Sequence, residues 1–436
     1  MPITLAQEKA DTIKLPLMGK HALTPAFRFL KATYGRHLTR RYKLSASGID
    51  AVLPIEGPAL VLANHTHTLD PFLISAVYPY TIRWVAGSYL FKMKAVGFLL
   101  RRLVGSIAKV QGRSDLGTIR SIGNALKKGG IVGLFPEGTR SWDGEMMDIT
   151  KATAKLLRVF KVPVVFVHIE GGFLNKPRWS DVERKGPIHV SVVRVLGSEE
   201  ISSMSLGELS QVTKDCLSFS TDDWQEGARI PYEGAHMAEG SERLFYLCPE
   251  CHSFSTMHGR GRRVSCSHCG FHADFDDYGF IHTDCQVVDW RHLRDWHHWE
   301  TAELGRRLNT QGGGTPRFAD HGILFQIPGR KRLLTVSKDF EVSVGREGFH
   351  FHFARPFKYE GSSVSSYTFP FSSIESVIVN AKQTIEFFAD GRQYRFRTAL
   401  DRSALKYQEA YAEAVELGLA CREGSQGGPV TPAGAV

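Results

Sequence analysis

Residues 57–71 read GPALVLANHTHTLDP. A short apolar, strand-like run from Pro58 to Ala63 delivers Asn64 and His65 into a turn. Asp70 followed by Pro71 then reads as a helix N-cap with proline at the first helical position. Strand, turn and helix within so short a span predict the opening of an α/β unit. Outward to about residue 195, strand-like runs alternate with helical stretches: DPFLISAV, TIRWVA, LGTIRSIGNALKKG, GIVGLFP, ITKATAKLLRVF, VPVVFVHI and GPIHVSVVRVL. That alternation predicts an α/β domain with a mostly parallel sheet.

The whole chain has 436 residues, 42% hydrophobic and 23% charged. This is globular composition, too long for one ordinary domain, and it excludes low-complexity, collagen-like and small disulfide-knit classes. Charge is unevenly placed. Residues 1–114 hold 16 Lys and Arg against 5 Asp and Glu, a net of +11, so with +9 overall the remainder comes to −2. Stretches 12–49 and 71–114 contain no acidic residue. A surface of that kind seeks phosphates, in nucleic acid or on a membrane.

The start, MPITLAQEKADTIK, carries Glu8 and Asp11 where a secretory signal would need an apolar run. The longest apolar candidate, Ala95 to Val110, is interrupted by Arg101 and Arg102; it can lie on a bilayer but not cross one. In residues 24–44, Phe27, Leu30, Tyr34, Leu38 and Tyr42 fall on one helical stripe among Arg and Lys, which suits an interfacial helix or an ordinary packing helix equally well. The expected setting is cytoplasmic and peripheral to a membrane.

Further along, the composition predicts a linker at 216–243, a cysteine-bearing ribbon at 244–283, and a helix with Trp290, Trp296 and Trp299 followed by a β-rich module, together covering 284–420. Asp390-Gly391 is a hairpin turn signal. A sheet of antiparallel strands closed by the amphipathic SALKYQEAYAEAVELG resembles the pleckstrin-homology-like superfold. Residues 421–436 have little to bury and are expected to be disordered.

Chemistry concentrates in two motifs. His65 lies five positions before Asp70, a carboxylate that can fix its tautomer and favour its imidazolium. Beyond a later strand-like run ending at Leu134 comes Phe135-Pro136-Glu137-Gly138-Thr139-Arg140-Ser141. Both motifs fall at carboxyl ends of strands, where open sheets place ligands. Arg140 offers a planar cation suited to phosphate, and Gly138 lets backbone approach closely.

These residues resemble the glycerophospholipid acyltransferases, typified by the 1-acylglycerol-3-phosphate O-acyltransferases. The family's Asn-His-x4-Asp matches Asn64, His65 and Asp70, and its Phe-Pro-Glu-Gly-Thr-Arg-Ser matches Phe135 to Ser141 without a substitution. Looser blocks are echoed by GSIAKVQGR, ending at Arg113, and by Val162 to Val164. The resemblance covers about 50–195, within an acyltransferase domain of 50–215 that follows a basic segment of 1–49. It implies direct acyl transfer from acyl-CoA or an acyl carrier protein to a lysophospholipid hydroxyl, with His65 as general base and Asp70 orienting it. Asn64, Arg113, Glu137, Gly138, Thr139 and Arg140 would bind substrate. One departure stands out: where many members carry Ala-Lys-x-Glu-Leu-Phe, this chain reads Ala86-Gly87-Ser88-Tyr89-Leu90-Phe91. If that lysine assists phosphate binding, Arg83, Lys92 or Lys94 must replace it, or the acceptor differs. His67 is read as a bystander.

Cys248-x2-Cys251 and Cys266-x2-Cys269, separated by fourteen residues, predict a four-thiolate zinc ribbon with a structural role. Cys216, Cys285 and Cys421 are scattered. The nearby histidines are spectators or substitute ligands, and the ribbon or the C-terminal module can serve an unidentified partner. A second reading, a nucleic-acid or protein-binding factor on an idle acyltransferase-like domain, is disfavoured. The acid-free stretches mix Phe, Leu and Tyr with the bases, as lipid insertion requires and a phosphate-backbone groove does not.

Overall fold

The apolar run after Pro58 lies inside a seven-stranded sheet. Its strands are β1 (Ser45–Ser47), β2 (Ala59–Ala63), β3 (Ile82–Gly87), β4 (Ile107–Lys109), β5 (Ile131–Leu134), β6 (Val164–Glu170) and β7 (His189–Leu196), in the order β1-β7-β6-β2-β5-β3-β4. Every neighbouring pair is parallel except β6–β7. All five residues of β2 are fully buried. Alternate side chains enter different cores: Ala59, Val61 and Ala63 pack with Leu73, Ile74 and Leu38, whereas Leu60 and Leu62 pack with Ile122, Leu126 and Leu157. Burial on both faces is why the run carries no polar alternation.

The structure is a computed structural model that describes residues 25–109, 116–149, 151–285, 288–310, 317–330, 332–359 and 361–420. Two compact units are present. The first holds the described residues up to Met237 together with Asp276–Phe280, and the second holds Ala238–Phe275 and the described residues from Ile281 onward. Arg113, the Gly-rich stretch at 311–314 and the C-terminal tail lie outside the described residues.

In the first unit one open alternative is decided and two expectations change. The helix at Pro25–Leu30 continues through a π-turn at Lys31–Gly35 into Arg36–Arg41, and its stripe is largely core: Phe27, Leu38 and Tyr42 are buried. Gly35 faces Ala76, and a Cβ there would sit 3.6 Å from that of Ala76, an ordinary contact. Segment 216–243 is not a plain linker. It holds the helix Thr221–Ala228, N-capped by Ser220, and fully buried Tyr232 and Met237. The N-cap of the helix Asp70–Val77 is Leu69, not Asp70, whose carboxylate is occupied elsewhere. Among the described residues no helix is long and apolar enough to cross a membrane.

The second unit has two parts. Strands β8 (Met257–Arg260), β9 (Arg263–Cys266), β10 (His272–Phe275) and β11 (Ile281–His282) form an antiparallel ribbon. An eight-stranded antiparallel sheet spans Phe318 to Thr398, followed by the helix Leu405–Glu416. Asp390 and Gly391 both take positive φ, and Ala389 pairs with Arg392, giving the two-residue hairpin expected from their identities. The sheet core is rich in phenylalanine, with Phe349, Phe351, Phe387 and Phe396 packed edge to face.

Candidate functional site

The turn after β2 is held by its own backbone. Asp70 Oδ2 accepts hydrogen bonds from the N–H groups of Thr66 and His67, at 2.8 and 2.9 Å, and from His65 Nδ1 at 2.8 Å. Donation from Nδ1 leaves Nε2 as the basic nitrogen. The His65 side chain retains 19% of its surface while that of Asp70 retains none. Burial lowers the His65 pKa from its ordinary 6.5; Asp70 opposes this, and the charges of Arg140 and Arg178 add to it. His67, read as a bystander, closes the turn: its Nδ1 accepts from the Leu69 N–H at 3.1 Å, and burial pushes its pKa down to about 4. It therefore stays neutral as an acceptor.

Asn64 and Glu137, both expected to bind substrate, also hold the scaffold. The Asn64 side chain is a clasp on β6, donating to Ile169 O at 3.2 Å and accepting from Ile169 N at 2.7 Å, with 2% exposure. Glu137 accepts from the backbone N–H of His65 at 2.7 Å and of Met147 at 3.0 Å, tying the second motif to the first. Its two oxygens are thereby committed, although burial pushes its pKa up. The Ser141 N–H completes the link by donating to His65 O at 2.9 Å.

Gly138 has φ +72°, which a side chain would strain, and a Cβ there would meet nothing within 4 Å. Backbone conformation, not crowding by the protein, is what calls for glycine. Thr139 and Arg140 follow half-buried in the same loop. Of the proposed substitutes for the absent lysine, Arg83 lies beside Gly105 and Gly130, which precede β4 and β5, at the sheet end opposite His65. Lys94 is exposed, and the side chain of Lys92 falls outside the description. A cation that no sequence pattern singled out, Arg178, lies beside Arg140. It is buried, stacks 4.2 Å over the Trp142 ring, and donates from Nη1 to Arg140 O at 2.8 Å.

A ring stack leads from the histidine to an apolar cavity. His65 stacks on Phe135 at 4.2 Å, and Phe135 on Trp84 at 4.9 Å. Trp84 lines a cavity of about 440 Å³, together with Phe27, Leu38, Pro71, Phe72 and Leu100. Its walls come from the N-terminal helix, the helix after the histidine turn, β3 and the segment 90–106.

In the second unit the sulfurs of Cys248, Cys251, Cys266 and Cys269 lie within 4.8 Å of one another. The pairs Cys248–Cys269 and Cys251–Cys266 are 3.6 and 3.7 Å apart. A tetrahedron with zinc–sulfur bonds of about 2.3 Å has edges of about 3.8 Å, so the donor set fits such an ion. Each Cys-x2-Cys segment is followed by a left-handed residue, His252 at φ 56° after Cys251 and Gly270 at φ 84° after Cys269, which turns the chain back after the second sulfur.

Residues 43–170 match the family model described as Acyltransferase. The chain is 26% identical over 175 residues to a chloroplastic 1-acyl-sn-glycerol-3-phosphate acyltransferase of Arabidopsis thaliana, covering 38% of this chain and 49% of that protein. It is 25% identical over 164 residues to the Saccharomyces cerevisiae 1-acyl-sn-glycerol-3-phosphate acyltransferase, covering 36% and 54%. To the Bacillus subtilis protein of the same name it is 24% identical, covering 37% and 83%. The chain thus spans about half the length of the plant and yeast relatives, and neither its ribbon nor its C-terminal module falls within the matched family segment.

Proposed function

We propose that this chain, which carries a domain of the glycerophospholipid acyltransferase family, moves an acyl group from an acyl thioester to the free hydroxyl of 1-acylglycerol 3-phosphate, giving phosphatidate. The observation that carries the reading is the His65–Asp70 contact set, joined to an apolar cavity by the stacked rings of Phe135 and Trp84. His65 Nε2 takes the hydroxyl proton, the oxygen attacks the thioester carbonyl, and the C–S bond breaks as the tetrahedral adduct collapses. The proton on His65 then passes to the departing thiolate. Asp70 keeps Nδ1 protonated throughout and stabilises the transient imidazolium. The donor is acyl-CoA or an acyl carrier protein, and the cavity, apolar and of ligand size, accommodates an acyl chain. Arg140 holds the acceptor phosphate.

The test is an acceptor panel with the full chain and an acyl thioester. Lysophosphatidate is expected to be acylated fastest, ahead of lysophosphatidylcholine and a monoacylglycerol. Equal rates on all three would refute the assignment of the phosphate.

Membrane contact belongs to the same reading. Phe29, Met93 and Phe98 are 68%, 52% and 61% exposed on segments that wall the cavity, among exposed Arg28, Arg36, Lys94 and Arg102. Flotation with anionic liposomes is expected to capture the protein and to weaken as salt rises. Binding indifferent to both lipid charge and salt would contradict it. In the second unit the four thiolates hold a structural zinc. The antiparallel sheet with its C-terminal helix supports a pleckstrin-homology-like module, which an experimental structure with another strand order would refute.

A further inference from the structure

We propose that Arg178 is a positioning residue of the acceptor site, fixing Arg140 and adding a second buried cation, so that the site prefers an acceptor bearing a phosphate monoester. The inference rests on the acyl-transfer reading above and deepens it.

Arg178 arrives from a third strand end. It follows β6 and the short helix Gly172–Asn175, whereas His65 follows β2 and Arg140 follows β5. Its exposure is 2%, and its partners fix its plane: the Trp142 ring lies 4.2 Å beneath the guanidinium. Trp142, two residues after Arg140, is itself 2% exposed and cannot yield. The bond from Nη1 goes to the carbonyl of Arg140, the residue whose side chain is assigned the phosphate. Removing that donor would release the loop at the position where it must be rigid.

Electrostatics point the same way. The charge of Arg178 reaches Arg140, and both charges reach His65, each disfavouring further positive charge. Bringing two guanidinium groups together below the surface is costly, and an arriving anion offsets that cost. A phosphate monoester carries close to two negative charges near neutral pH, whereas a phosphodiester carries one. Two cations match the former.

The local sequence explains why the second cation comes from this direction. A Cβ at Gly87, where many relatives have lysine, would approach the Tyr89 ring to 2.6 Å. Tyr89 fills that place and interacts electrostatically with both Arg140 and Arg178. The Tyr89 ring, 48% exposed, lies against Gly87, and the second cation comes instead from the end of β6.

The experiment uses the full-length chain and compares wild type, Arg178→Lys and Arg178→Met. KM is measured for 1-acylglycerol 3-phosphate, for acyl-CoA and for uncharged monoacylglycerol. Arg178→Met is expected to raise KM for the phosphate acceptor about tenfold or more, the scale of one lost charge-assisted hydrogen bond. The other two constants should stay within about twofold, and Arg178→Lys should recover part of the loss. Equal loss on charged and uncharged acceptors, or no change, would overturn the proposal. A second measurement, binding of 1-acylglycerol 3-phosphate in a His65→Ala background with and without Arg178→Met, reads the site without turnover. Binding that is weakened at least tenfold supports the proposal, and unchanged binding overturns it. If wild type acylates nothing while binding still depends on Arg178, the anion site stands and the acyl-transfer reading falls.

Discussion

Replacing His65 by alanine is expected to lower kcat/KM for acyl transfer by roughly two to four orders of magnitude, the contribution typical of a positioned general base. The loss should be kinetic. The turn is held by Asp70 on the N–H groups of Thr66 and His67 and by Glu137 on that of His65, none of which needs the imidazole. The melting temperature of the variant should therefore stay near that of wild type. In wild type, kcat/KM should fall with acid as His65 takes a proton and ceases to be a base. Its pKa lies below the ordinary 6.5, because burial and the two arginines outweigh Asp70. The acid limb should thus have its midpoint below 6.5, with full activity between 7 and 8. Thioester consumption equal in wild type and His65→Ala would remove His65 from the chemistry, and a midpoint above 7 would contradict the burial argument.

The second large effect concerns the four-cysteine cluster. Metal analysis of the purified protein is expected to find about one zinc per chain, and Cys251→Ser with Cys266→Ser to abolish it. Four sulfurs fill a tetrahedron and leave no open position, so removal should act on folding. The ribbon's strands are only two to four residues long, which leaves them little apolar surface of their own to bury. Structural zinc supplies about 10 kcal/mol or more in small domains, so the double variant should lose the ribbon's protection from proteolysis. Cys216→Ser, in the first unit, should change neither zinc content nor protection. Native protein without zinc, or zinc retained in the double variant, would refute the assignment.

Sequence alone was most informative where a pattern has one structural solution. The uninterrupted apolar run of β2 fits a strand buried on both faces, Asp-Gly between two alternating runs fits a tight hairpin, and paired Cys-x2-Cys fits four sulfurs gathered in one cluster. It was less informative where one residue type serves several ends. Asn64 at a strand end reads the same whether it meets substrate or, as here, the backbone of Ile169. The stripe through Phe27, Leu38 and Tyr42 is apolar whether it faces lipid or protein, and only the packing against the helix Asp70–Val77 decides. Arg178 carries no local signal, because its meaning comes from Trp142 and Arg140, some forty residues away in sequence.

The central claim is that the first unit forms an ester between an acyl thioester and a phosphate-bearing lysolipid. The most direct measurement mixes the full-length chain with acyl-CoA and 1-acylglycerol 3-phosphate, then follows released thiol and phosphatidate together, the latter by mass spectrometry. Equal rates of the two are expected, one thiol for each ester formed. Thiol released without phosphatidate, or neither product at any protein concentration, would contradict it.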